Sequence, residues 1–345
     1  MTAKSELRQG ASAHAGAGAD DHDLETIGQC PLCGSEHSAP YLADLKDHFF
    51  HADDGAFALR RCRDCRSLWL EQRPSGARLL KAYANYYTHQ NAGEQGRARR
   101  LRTAIRDLYI HSRFGTGRGL IARAAGDVAR MRGLTHVGID HYMRFAPRAS
   151  ARVLDYGCGS GDYLLRLHPL GYALVGLEYD PELIGGLAHK GIQVEDVATI
   201  RDDRWNAEFD HISLSHVLEH VPDPAALLGR LFGWLKPGGT LFLEVPNADA
   251  TGLDIFAGYW RGLEVPRHFM LPTRASLIDA LQRAGFAATR QYLGPTTRKG
   301  MWDLSLGVCP SDHRGEYLRK MGEAPAQTPD NAEFLTIVAT KPLAG

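Results

Sequence analysis

The sequence has no charge excess and no long apolar run. Lys plus Arg and Asp plus Glu each number 40, so no global attraction draws the chain to nucleic acid or to an anionic membrane surface. No stretch approaches the ~20 apolar residues that cross a bilayer, and the first residues hold no hydrophobic signal core. The expectation is a soluble, cytoplasmic protein that acts on a small molecule. Nucleic acid is the disfavoured partner, the more so because no Asn/Asp-Pro-Pro-Tyr base-handling motif occurs. The charge is uneven, however: 19 Lys/Arg face 6 Asp/Glu between Arg60 and Ser150. That segment either presents solvated helix faces or favours an anionic acceptor.

Cysteine is scarce at 6 residues, which excludes a disulfide framework. Four of the six stand as two Cys-x-x-Cys pairs, Cys30/Cys33 and Cys62/Cys65, with 28 residues between the pairs. Each pair makes a tight knuckle, and two knuckles supply the four thiolates of a closed tetrahedral Zn²⁺ site with a structural role. Tyr41, Phe49, Phe50, Phe57 and Leu59 between them predict the short strands of a zinc ribbon over residues 28–75. Residues 1–27, rich in Ala, Gly and Asp, read as a disordered tail. Residues 76–148 read as a helical lid or linker. Leu101, Ile105, Leu108 and Tyr109 recur at helical spacing there, and Leu120, Ile121, Ala124, Val128 and Met131 suggest a second helix.

What the chain does have is one bare turn, Val153-Leu154-Asp155-Tyr156-Gly157-Cys158-Gly159-Ser160-Gly161-Asp162. An apolar strand ends in an acid, and glycines follow at alternate positions before a helix resumes, so the main chain can approach a ligand closely. Asp162 stands where a dinucleotide fingerprint requires its third glycine, which disfavours pyrophosphate. Asp155 suits an ammonium group instead. A second strand ends at Glu178-Tyr179, where a carboxylate accepts the hydroxyls of a ribose. Asp223 and Pro224 start a later helix, and Pro237-Gly238-Gly239 stops it before a fifth strand over 240–245.

These residues, with the run from Phe209 through Ser215 to Pro224 and the run Leu235-Lys236-Pro237-Gly238-Gly239-Thr240, resemble the core of class I S-adenosylmethionine-dependent methyltransferases over residues 149–345. Bacterial sugar and natural-product methyltransferases of this kind carry a similar ribbon. The resemblance implies an α/β, Rossmann-like, seven-stranded sheet, mostly parallel with the last strand antiparallel, and S-adenosylmethionine as cofactor. It implies cofactor contacts at Asp155, Tyr156, Gly157, Cys158, Gly159, Gly161, Glu178, Tyr179 and Ser215, with Asp196 and Val197 at the adenine. Acceptor contacts are expected at Trp260, Arg267 and His268 in the insertion after strand five, where Arg267 and His268 either hold an anionic group or are ordinary loop residues.

Methyl transfer to a hydroxyl needs positioning and a base. His216, Glu219 and His220 follow strand four, and three roles stand open. His220 oriented by Glu219 is the base. Alternatively His216, Glu219 and His220 hold Mg²⁺, as the similar Glu-x-x-Glu-His of ubiquinone-pathway O-methyltransferases is thought to do, although His216 replaces the first glutamate. In the third, the turn only shapes the loop. His216-Val217-Leu218-Glu219-His220 also matches H-x-x-E-H of certain zinc proteases, but that motif needs a helix and this one follows a strand. The leading expectation is transfer to oxygen, or to carbon, of a sugar, nucleotide-sugar or natural-product intermediate. Sugar C-methyltransferases with such a ribbon carry an additional C-terminal domain, which tilts the expectation to oxygen. An RNA methyltransferase and a zinc-dependent interaction module that only senses the cofactor are the alternatives.

Overall fold

The computed structural model describes residues 23–83, 110, 143, 150–201, 203–294 and 297–343. The helices expected between residues 97 and 131 lie outside the described residues. Ile110 and Met143, described singly, are buried against Tyr163, Leu167 and Leu170.

The chain builds the ribbon first. Strands β1 (Leu24–Thr26), β2 (Ser38–Leu45), β3 (Phe57–Cys62), β4 (Leu68–Leu70) and β5 (Gln72–Pro74) lead into helix α1 (Gly76–Tyr83). β1 pairs with β5, Glu25 opposite Arg73, so Leu24–Thr26, within the tail expected over 1–27, form a strand. The pairing has a simple cause: Leu24 and Thr26 are good strand residues, and the Arg73 guanidinium bridges Glu25 across the two strands at 2.8 Å.

The large sheet follows. β6 (Arg152–Tyr156), α2 (Asp162–Leu167), β7 (Ala173–Glu178), α3 (Pro181–Ala188), β8 (Gln193–Asp196), β9 (Phe209–Ser215), α4 (Pro224–Trp234) and β10 (Leu235–Pro246) alternate as crossover units. After β10 come α5 (Thr251–Phe256), β11 (Met270–Leu271), α6 (Arg274–Arg283), β12 (Ala288–Tyr292), α7 (Thr297–Val308), α8 (Arg314–Gly322) and β13 (Phe334–Thr340). Seven strands lie in the order β12-β13-β10-β9-β6-β7-β8. β13 is antiparallel to both its neighbours, while β10, β9, β6, β7 and β8 run parallel. The expected sheet is therefore present.

The helix punctuation works as the sequence suggests. Asp223 accepts the Ala226 amide at 2.9 Å with Pro224 in the first turn, and α4 ends at Trp234. β10 begins at Leu235 rather than at 240, and its register against β9 shifts between Leu235 and Thr240, where Pro237, Gly238 and Gly239 sit.

The ribbon is not an appended module. Its four-stranded sheet, β11-β4-β3-β2, is completed by β11 from the insertion after β10. Met270 lies opposite Trp69 and Leu271 opposite Leu68. Trp69, Cys30, Leu32 and Cys62 share one core with Leu214, Leu227 and Leu277 of the large domain. Fully burying Trp69 removes enough apolar area to be worth about 4 to 6 kcal/mol as an upper bound. The consequence is positional: ribbon, insertion and the turn after β9 meet.

Candidate functional site

The cofactor side is built by the main chain. Gly157 and Cys158 both donate to the Leu177 carbonyl at 2.9 Å, and Gly161 donates to Cys158. The turn therefore folds over the carboxyl ends of β6 and β7, where α/β sheets bind ligands. Gly157, Gly159 and Gly161 have φ of 71°, 53° and 76°, a region that side chains strain to enter. Packing adds a second reason for this bareness. A Cβ at Gly157 would stand 2.6 Å from Val217 Cγ2, and one at Gly161 2.3 Å from Leu187 Cδ2.

Asp155 is buried at the end of β6, opposite Ser213 and Gly176, and Ser215 ends β9. Glu178 lies opposite Asp196. The Glu178 carboxylate accepts the amides of Gly159 at 2.7 Å, Tyr179 at 2.8 Å and Asp180 at 3.3 Å. A carboxylate offers about four acceptor sites, so room for a ribose hydroxyl remains. Asp196 accepts the Ala198 amide at 2.9 Å and thereby caps the turn that holds Val197. Tyr156 is buried and Tyr179 is 65% exposed beside this row. Acids at adjacent strand ends over a glycine turn fit a cofactor with an ammonium and a ribose.

The acceptor side is built by side chains from four distant segments. Val217, which packs on Gly157, carries the turn Leu218–His220 directly onto the cofactor loop. His216 precedes it at φ 54°, held by its amide on the Glu244 carbonyl at 2.8 Å. Its Nε2 lies 3.2 Å from Glu244 and its Nδ1 3.5 Å from Glu219. Burial alone lowers its pKa, but the two carboxylates outweigh burial and push it up to about 10. His216 is thus a protonated clamp between two acids. Held in this way, His216 has both ring nitrogens turned to carboxylates of the fold. The described residues bring Glu219, His220 and His268 within 4.8 Å of one another, a two-nitrogen set that does not suit a hard, oxygen-seeking Mg²⁺.

Glu219 is fully buried, and neither carboxylate oxygen has a hydrogen-bond partner among the described residues. Burial raises its pKa, yet His216, His220 and His268 together hold it below the ordinary carboxylate value. It remains an anion among three imidazoles. His268 donates its Nδ1 hydrogen to the Gly262 carbonyl at 2.8 Å. Burial drives His268 down to about 4, so it is neutral at neutral pH. His220 Nδ1 lies 2.9 Å from the Arg267 carbonyl and 2.9 Å from the Tyr83 hydroxyl.

Arg267 and Trp260 do not sit as expected. Arg267 is fully buried, bonded to both Asp47 oxygens at 3.0 and 3.1 Å and to the Ala82 carbonyl at 3.1 Å, with Phe50 under its guanidinium. Glu264, pulled down to about 2 against the burial that would raise it, pairs with Arg267 at 3.4 Å and with Arg261. With its donors so engaged, Arg267 is a strut rather than a holder of an anionic acceptor. Trp260 is buried and donates to Glu333 at 2.7 Å, so it too is structural.

Asp47, Glu244 and Glu264 escaped the sequence reading. Glu244 alone left a signal: an acid inside the apolar run of β10 requires a buried partner.

At the ribbon, the four cysteine sulfurs lie within 4.8 Å of one another. Cys30 and Cys65 are 3.6 Å apart, as are Cys33 and Cys62. Sulfurs on one tetrahedral Zn²⁺ stand about 3.8 Å apart, given Zn–S of about 2.3 Å. The thiols are strongly coupled: the hydrogen bond with Cys30 pulls Cys65 down to about 5, while the same contact pushes Cys30 up.

Residues 131–291 match the family described as a methyltransferase domain. Over 122 residues the chain is 39% identical to the ubiquinone biosynthesis O-methyltransferase of Xylella fastidiosa, covering 33% of this chain and 49% of that protein. Over 135 residues it is 33% identical to the protein of the same name from Xanthomonas oryzae pv. oryzae, covering 36% and 55%. The chain spans about half the length of the curated relatives it matches. The S-adenosylmethionine-dependent methyltransferase structure from Mesorhizobium loti overlaps 60% of the chain and 98% of its own at 18% identity, with a TM-score of 0.41.

Proposed function

We propose, from the premise that this chain is a class I S-adenosylmethionine-dependent methyltransferase, that it methylates a hydroxyl oxygen of a small polar acceptor with His220 as general base. The observation that carries this reading is the pinned imidazole. A carbonyl oxygen only accepts, so the Arg267 carbonyl 2.9 Å from His220 Nδ1 requires a hydrogen on that nitrogen. The lone pair is then at Nε2.

S-adenosylmethionine supplies a sulfonium methyl group when bound. Asp155, Glu178 and the glycine turn would hold it, with Tyr156, Cys158, Tyr179, Asp196, Val197 and Ser215 around the nucleoside. His220 takes the acceptor's hydroxyl proton at Nε2 as the oxygen gains the methyl group. The buried Glu219 carboxylate stabilises the imidazolium that results. His268, neutral and fixed by Gly262, borders the same space.

The acceptor end that reacts is an uncharged hydroxyl, because the centre already holds Glu219, Glu244 and Glu264 and its arginines are engaged. Sugars, nucleotide-sugars and natural-product intermediates remain within this class, and so do phenols; the relatives' names favour transfer to oxygen. At the ribbon the four-cysteine cluster holds one structural Zn²⁺.

Incubation with [methyl-¹³C]S-adenosylmethionine and a panel of phenols and sugars tests the oxygen assignment. A new carbon resonance in the methyl-ether region supports it. Label in the C-methyl region of the product overturns it.

A further inference from the structure

Tyr83 ends α1, outside the matched domain of residues 131–291, yet its hydroxyl lies 2.9 Å from His220 Nδ1. The two rings meet edge-on, 6.0 Å between centroids at 63°. The end of α1 is held there on purpose-built contacts. Arg267 donates to the Ala82 carbonyl at 3.1 Å while Asp47 fixes the same guanidinium, and the Arg267 carbonyl is the other oxygen on Nδ1. Phe269 closes the arrangement, donating to the Glu219 carbonyl at 2.7 Å and accepting from Leu70 of the ribbon at 2.9 Å.

Two oxygens therefore share one ring nitrogen. The carbonyl can only accept, so the hydrogen belongs to Nδ1 and the phenol oxygen is its second acceptor. Burial raises the Tyr83 pKa well above the ordinary phenol value, which keeps its own hydrogen in place and the oxygen uncharged.

We propose that Tyr83 is a positioning residue of the methyl-transfer reaction: its oxygen shares the His220 Nδ1 hydrogen with the Arg267 carbonyl, and so fixes the ring with Nε2 as the proton acceptor. This rests on the reading of His220 as base. When Nε2 takes the proton, the Nδ1 hydrogen becomes a stronger donor and both oxygens bind it more tightly. Tyr83 thus favours the protonated product of the base step over its starting form. It also makes the segment after the ribbon part of the catalytic centre, although the chemistry belongs to the large domain.

The test uses the full zinc-loaded chain with ¹⁵N-labelled histidine, His220 being assigned by the signal lost in His220→Gln. In the wild type the neutral ring carries its hydrogen on Nδ1 and none on Nε2, with the Nδ1 hydrogen shifted far downfield. Tyr83→Phe keeps the ring and removes the oxygen. That hydrogen then moves upfield, and with the acceptor found in the ¹³C panel kcat falls about five- to tenfold, the loss of one hydrogen bond, with the KM for S-adenosylmethionine unchanged.

An Nε2-protonated His220 in the wild type overturns the proposal without any variant, and so does a Tyr83→Phe spectrum identical to wild type. Full turnover by His220→Gln would instead remove the base itself, an outcome separate from the hydrogen-bond readout at Tyr83.

Discussion

The two halves of the candidate site are made differently. The cofactor half is a run of main chain: glycines at alternate positions, amides on carbonyls, and acids at the ends of neighbouring strands. The acceptor half is a cage of side chains in which Arg267 reaches Asp47 across 220 residues of sequence and His220 reaches Tyr83 across 137. Main-chain chemistry is local and leaves its pattern in consecutive residues. Charge-balanced cages are assembled only by folding, and their members look ordinary one at a time.

The largest expected effect comes from stripping metal from the four-cysteine cluster. Structural Zn²⁺ contributes on the order of 10 kcal/mol in small sites, and the ribbon supplies Asp47 and the strand that pairs with β11. Chelation should therefore unprotect amides 264–271 in hydrogen exchange before those of 153–178. Equal loss in both regions would show that the halves are not separable.

Next in size, Asp155→Ala and His220→Gln should dissociate cleanly. The first should lose cofactor binding in a calorimetric titration. The second should bind S-adenosylmethionine as wild type and lose about 10²- to 10⁴-fold in turnover.

Arg267→Met should cost about 3 to 5 kcal/mol in urea unfolding, because it leaves Asp47 buried without its cation, while Glu264 keeps Arg261. Asp47→Asn in the same background should recover part of that loss.

The smallest effects are those of pH. His216, at about 10 against an ordinary 6.5, binds its proton more tightly folded than unfolded. Its contribution is full below pH 6.5 and is lost as pH rises through 10. Glu264, at about 2 against 4.5, contributes fully above pH 4.5 and loses this as pH falls through 2. His268, depressed to about 4 from 6.5, takes up its proton more readily when unfolded and weakens the fold as pH falls from 6.5 to 4. Denaturant midpoints across pH should show an alkaline decline that is absent in His216→Asn.

Much of the fold was legible in the sequence. The resemblance carried by the glycine turn and the later motifs implies the sheet that is present, and Asp223-Pro224 marks a helix start where one occurs. Cys30, Cys33, Cys62 and Cys65 converge as their spacing suggests. Other features were not legible, for identifiable reasons. β11 is two residues long and owes its existence to pairing with β4 rather than to any propensity of Met270 and Leu271. Arg267 in a loop reads as an exposed anion-binding residue, because its partners lie far along the chain. His216 stands in the sequence only as a member of a possible Mg²⁺ set, and its clamp on Glu244 shows only in the fold. His220 was identified from sequence as the candidate base, but nothing local in the chain says that Tyr83 and the Arg267 carbonyl meet its ring.

The most direct measurement is transfer of radiolabelled methyl from S-adenosylmethionine to the acceptor found in the panel, by the wild type and by His220→Gln at equal cofactor saturation. The account predicts label in the wild-type product and a loss of at least about 100-fold in the variant. Equal labelling by the two proteins would contradict it, as would the absence of any methylated small molecule with the wild type.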